Sequence, residues 1–255
     1  MKQYINAQWE KVLQALSSLR VDVSSEAVHD FRVTLKKLRA ALIAVDNSAV
    51  LKDLRLIYGD CGRVRSAEIY STTLAAVAAE TAIDISPACE MLAKYRTIAA
   101  RRLQRGIIRV TNEDLLAIAT QIDALVQNIN EQRATHMVYK RVRKLREHIR
   151  DLESEIPDKG TLHAIRRYAK EISYLVSSDT SHSTESLRQH ALAHHLESFL
   201  GAVHDEQELA EWLAKQGRCV IAKEHRKRLR SILKTRNRQN IALARVILRT
   251  FHEQW

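Results

Sequence analysis

Proline and glycine are scarce in this chain, at 2 and 6 of 255 residues. So few breakers leave little room for the many tight turns of a short-stranded sheet, and the dominance of Ala, Leu, Arg, Glu, Lys and Gln favours long helices. The expected fold class is all-α. Cysteine is also sparse: Cys61, Cys89 and Cys219 are odd in number and show no CxxC spacing. They suggest neither a disulfide framework nor a zinc site, and a reducing cytoplasm fits them best. The N-terminal stretch MKQYINAQWEKVLQALSSLR is amphipathic and holds no apolar segment of signal-peptide length. No stretch of about 20 apolar residues occurs anywhere, so no transmembrane segment is expected. Aromatic residues make up only 5% of the chain, and neither zinc-finger spacing nor an RNP-like strand is found. Sequence-specific nucleic-acid readout is therefore disfavoured.

What the chain has in excess is positive charge. Forty-one Lys and Arg face 30 Asp and Glu, a formal net charge of +11. An anionic partner is implied, although charge by itself does not choose among nucleic acid, a membrane surface and another polyanion. A hydrophobic content of 45% is enough to bury a core in one large domain or two small ones. The periodic pattern predicts helices near 2–20, 25–45, 48–61, 64–82, 87–109, 112–154, 159–177, 184–201, 205–216 and 219–252. Ser24 and Ser25 can cap the second, and Ser86 with Pro87 can start the fifth. The stretch from Pro157 to Gly160 is the best boundary between halves, giving 1–157 and 158–255.

The distribution of charge is more informative than its sum. Residues 28–42, VHDFRVTLKKLRAAL, carry a basic stripe: with His29 at zero on a helical wheel, Arg32, Lys36 and Arg39 fall at about 300°, 340° and 280°. Val28, Phe31, Leu35, Leu38 and Leu42 occupy the adjacent arc, at roughly 180° to 260°. One such helix has an ordinary explanation, because Arg and Lys stems cover apolar surface while their heads reach water. A second copy weakens that explanation. Residues 162–176, LHAIRRYAKEISYLV, repeat the spacing with His163, Arg166 and Lys170, and Leu162, Ile165, Ala169, Ile172 and Val176 line the neighbouring arc. Two further segments follow the copies, YGDCGRVRSAEIY around Gly62 and FLGAVHDEQELAEWL around Gly201. Their alignment sets Arg65 against His204 and Ser66 against Asp205. In both, the glycine is expected to end one helix just before the next begins.

These four segments, in this order over almost the whole chain, resemble the CHAD domain family, the conserved-histidine α-helical domain. The resemblance implies two pseudo-symmetric helical bundles from an internal duplication, with a basic groove or pore between them that binds inorganic polyphosphate. It also permits a place on polyphosphate- or storage-granule surfaces. The chain departs from the family pattern at Ser66, where the first-half motif has Asp, and at Ser173, which stands opposite Arg39.

The chemistry of the stripes agrees. Polyphosphate carries about one negative charge per internal phosphate, and a ladder of cations can match it at many registers, as cationic grooves track nucleic-acid backbones. Arg32, Lys36, Arg39, Arg166 and Lys170 are the primary ligand-binding candidates, since Arg forks onto two oxygens and Lys adds a movable charge. His29, His163, Arg65 and His204 accompany them. Arg102, Arg105 and Arg109 share one helix face, and Arg143 with Arg146 lies in another basic run; these rank second. The histidines at 182, 190, 194, 195 and 204 crowd one segment, but HALAHHLE lacks the glutamate of HExxH and the first half has no counterpart, so no metal is expected. No P-loop, nucleophile elbow or paired-carboxylate motif is present. The expectation is thus a non-catalytic binder without a cofactor. The alternatives are a nonspecific nucleic-acid-binding helical protein and a polyphosphate-metabolising enzyme.

Overall fold

The computed structural model describes residues 1–45, 48–81, 83–153, 158–178 and 183–253. They form nine α-helices and no strand: α1 (Lys2–Val21), α2 (Ser25–Ala44), α3 (Arg55–Ala79), α4 (Ser86–Ile108), α5 (Asn112–Asn128), α6 (Glu131–Glu153), α7 (Lys159–Val176), α8 (Thr184–Lys215) and α9 (Lys223–Glu253). A 3-10 segment, Ser48–Leu54, leads into α3. Ser24 caps α2 as expected, and three further starts that the sequence reading did not single out are capped in the same way. Ser24 accepts from the Ala27 N–H, Asp158 from Thr161 and Ser183 from Ser186, and Thr111 with Asp114 forms a reciprocal capping box on α5. Pro87 occupies the first turn of α4, where its missing N–H costs nothing.

Three apolar cores hold the helices together. The first gathers α1, α2, the 3-10 segment, the start of α3, the end of α4 and α5 around Phe31, Leu38, Leu54 and Leu103. The second gathers α6, α7, the first half of α8 and the end of α9 around Leu145, Ile165, Leu196 and Leu248. The third joins the end of α3 and the start of α4 to the end of α8 and the start of α9: Leu74, Val77 and Leu92 pack with Leu209, Leu213, Leu229 and Leu233. Phe31 is fully buried, so its side chain alone contributes on the order of 1.5–3 kcal/mol through the hydrophobic effect.

Several expected boundaries move. The helix expected over 112–154 is two helices, interrupted at Ile129, where the backbone turns extended. Pro157 lies outside the described residues, and the packing divides earlier: Val138, Val142, Leu145 and Ile149 of α6 bury into the second core with α7 and α8. The α6 helix, which the sequence pattern joins to the first half, therefore packs with the second.

The largest correction concerns the glycines. Gly62 and Gly201 end no helix; α3 runs unbroken through the first and α8 through the second. Their role is space. A methyl group on Gly62 would stand 2.9 Å from Arg32 Nη1, and one on Gly201 would stand 3.4 Å from Arg166 Nε. Each glycine accommodates the guanidinium of the basic stripe that crosses it.

Candidate functional site: a cation cluster between α2 and α7

The apolar arcs of α2 and α7 bury into the first and second cores, which leaves their basic stripes to meet where the two helices pack. On α2, Arg32 donates to the Tyr58 carbonyl at 3.2 Å and lies 4.7 Å from the centre of the Tyr58 ring. The Lys36 ammonium sits 5.8 Å from the same ring. On α7, Lys170 is hydrogen-bonded to Glu197 and lies 5.9 Å from the Tyr174 ring, while Arg166 reaches Glu197 at 3.9 Å. Tyr58 and Glu197 stand four residues before Gly62 and Gly201, so the same helical position faces the cations in each half. It presents an aromatic face in one and a carboxylate in the other. Neither residue is singled out by the sequence reading, although their spacing from the glycines is a usable signal.

Lys36 reports how closely the stripes converge. Burial pushes its pKa down to about 7, and Lys170, Arg32 and Arg166 push in the same direction against Glu197. A lysine held there lacks the solvation that an ammonium needs and has like charges for neighbours. Asp205, from α8, is the second carboxylate: burial raises its pKa, while Arg166, Arg65 and Lys170 oppose the rise. Arg65 itself makes a 3.4 Å contact with Glu68. Five cations, Arg32, Lys36, Arg65, Arg166 and Lys170, thus share their surroundings with the carboxylates Glu197 and Asp205. An anion entering here meets donors whose charges are compensated only in part.

The two motif histidines are not equivalent in place. His29 is exposed on α2, whereas His163 and His204 stand with ring centres 4.8 Å apart. Burial lowers the pKa of both: His204 falls to about 4, by burial first and then by Arg166, His163 and Lys159 against Glu208, and His163 is lowered by burial first and then by Arg167 and Arg166. The Nδ1 atoms of both, and Arg166 Nε, are shielded from solvent without a hydrogen-bond partner. Such orphaned polar atoms are uncommon in finished cores and are a feature of sites that accept polar groups.

The remaining sequence candidates are distributed. Arg39 is exposed at the far end of the α2 stripe. Arg102 pairs with Asp60 at 3.1 Å, and together with Arg105 and Arg109 it lines a hollow between α3 and α4. Arg143 pairs with Glu147 at 3.7 Å on its own helix. Arg146 has Arg150 and Glu185 as its charged surroundings, so neither α6 residue joins the central cluster. His182 lies outside the described residues. His190 and His194 stack at 6.1 Å, and no three His, Cys, Asp or Glu side chains among the described residues form a metal-sized group. Along α9, Lys227, Lys234, Arg238 and Arg245 share an exposed face without an ion pair among the described residues. No described helix is long and apolar enough to cross a membrane.

Fold and site together define an all-helical protein with a half-buried cation cluster at the meeting of two basic helix faces. Comparison with known proteins places it further. The family model of the CHAD domain matches residues 3–214, and the chain belongs to that family. Its fold is similar to the crystal structure of the CHAD domain from the plant Ricinus communis, with a TM-score of 0.71 at 15% sequence identity, covering 97% of this chain and 90% of that one. A comparison with curated protein sequences finds no match.

Proposed function

We propose that the protein binds inorganic polyphosphate without transforming it, and that the α2–α7 cation cluster is where the chain is held. The observation that carries this reading is the apposition of Arg32 and Lys36 on one helix with Arg166 and Lys170 on the other, opposed by two carboxylates. Membership of the CHAD domain family supports it. Clustered cations repel one another, and a polyanion that replaces this repulsion with charge-assisted hydrogen bonds gains affinity from relief as well as from contact. In this reading the two bundles derive from a duplication, with Arg32 over Gly62 and Arg166 over Gly201 as equivalent pairs. A granule surface coated with polyphosphate is the setting in which such a domain would act as a tether.

The test is titration of long-chain polyphosphate into the intact protein at several salt concentrations. Affinity falls steeply with salt as counterions are released. Reversing Arg32, Lys36, Arg166 and Lys170 to Glu abolishes binding while circular dichroism remains helical. Incubation with polyphosphate or nucleoside triphosphates, with magnesium or manganese, releases no phosphate. Unchanged binding by the fourfold variant places the site elsewhere. Competition at fixed salt separates polyphosphate from duplex DNA, the alternative polyanion.

A further inference from the structure

The central cluster is not closed on the α2 side. Beyond Lys36 lies a hollow of about 340 Å³, bounded by Lys36, Arg39, Lys52 and Arg55 and floored by Tyr58 and Leu35. No carboxylate among the described residues lines it. Lys52 and Arg55 also line the next hollow, about 790 Å³, whose far side carries Arg102 and Arg105 of α4 and Arg109 just past its end. The two spaces therefore share a wall of cations. The second hollow does contain Asp53, Asp60 and Asp114, but Asp60 is engaged by Arg63 and Arg102, and Asp114 is turned to the Thr111 N–H in its capping box. Lys52 and Arg55 make no ion pair among the described residues, and both are exposed. A row of cations on one exposed helix is usually a solvated face. Here the row crosses four elements, α2, the 3-10 segment, α3 and α4, and lies in a concavity, where like charges repel more strongly than on a convex surface.

We propose that this path is a second arm of the polyphosphate site. A chain anchored at Arg32, Lys36, Arg166 and Lys170 leaves the cluster past Arg39, passes Lys52 and Arg55, and continues to Arg102, Arg105 and Arg109. The arm rests on the polyphosphate reading above and adds to it a length dependence. A short oligomer satisfies the central cations only, whereas a long chain also occupies the arm, so affinity rises with chain length through contacts at named residues. Lys52 and Arg55 are the bridge between the anchored and extended parts.

The experiment compares tripolyphosphate with long-chain polyphosphate by calorimetric titration at one fixed salt concentration, using the intact protein. Lys52→Glu with Arg55→Glu reduces the affinity ratio of long to short ligand by about tenfold, through lost phosphate contacts, and leaves tripolyphosphate affinity within about twofold. The neutral pair Lys52→Gln with Arg55→Gln moves the ratio the same way by less, and serves if the reversed pair folds poorly. Arg238→Glu with Arg245→Glu, on the exposed face of α9, changes net charge equally and leaves the ratio unaltered. An unchanged ratio in the Lys52 and Arg55 variants overturns the arm, as does an equal fall in the α9 control. If wild-type protein binds neither ligand, the polyphosphate reading itself has failed; if it binds both but without length dependence, only the arm has.

Discussion

The guanidinium of Arg32 lies against the Cα of Gly62, so close that a methyl group there would stand 2.9 Å from Nη1. Its counterpart contact, Arg166 over Gly201, leaves 3.4 Å. The first separation is too short for a real side chain and the second is an ordinary contact. Both glycines sit inside helices, where alanine is preferred by about 1 kcal/mol. Gly62→Ala should therefore leave thermal stability unchanged or raised while displacing Arg32, with polyphosphate affinity falling about tenfold. Gly201→Ala should stabilise as much and weaken binding little. Thermal melts and titrations on the two variants check the contrast, and equal losses of affinity would contradict it.

Lys36 supplies a pH dependence. Its pKa is lowered to about 7 by burial first, then by Lys170, Arg32 and Arg166, with Glu197 opposing and Tyr58 beside it. A bound polyanion favours the protonated amine, so binding takes up a proton when the free protein is deprotonated. Affinity should rise as pH falls from about 8 to 6, as Lys36 gains its charge. Lys36→Arg, which stays charged throughout, should flatten that slope. Titration across this range in wild type and variant reads the difference; parallel slopes would assign the dependence to other groups.

Glu197 competes with the ligand for Arg166 and Lys170. Glu197→Gln removes that competition, and polyphosphate affinity should increase several-fold. The same change leaves the Lys170 ammonium beside Lys36 without its carboxylate, so the ligand-free protein should melt at a lower temperature. Added polyphosphate should restore more stability to the variant than to wild type, by mass action on the folded state. A variant with weaker binding would show that Glu197 positions the cations.

His204 shapes stability in acid. Its folded-state pKa is lowered to about 4 from 6.5, chiefly by burial. The unfolded chain therefore binds more protons between these values, and stability should fall as pH drops from about 6.5 to 4. The loss from this residue is on the order of 1–3 kcal/mol after discounting for partial exposure. His204→Gln should be less sensitive over that window, although His163, lowered in the same direction, retains part of the effect. Denaturant melts at pH 7 and 4.5 on both proteins provide the measurement.

Much of the architecture was legible in the linear pattern because helix formation is local. Apolar spacing along VHDFRVTLKKLRAAL and LHAIRRYAKEISYLV specifies which face each helix buries, and Ser24 and Pro87 mark starts through local backbone rules within one turn. The all-helical class and the paired basic stripes follow from those short-range rules. Gly62 and Gly201 were misread for the complementary reason. A glycine that ends a helix and one that admits a guanidinium from another helix look the same in sequence; the residue occupying the space lies 30 or more positions away. The tertiary structure alone decided that α6 joins the second core, that Tyr58 and Glu197 face the cations, and that Lys36 loses its usual pKa. It also set His29 in solvent while His163 packs on His204, because burial is conferred by the neighbours that long-range packing brings, and identical local motifs can receive different ones.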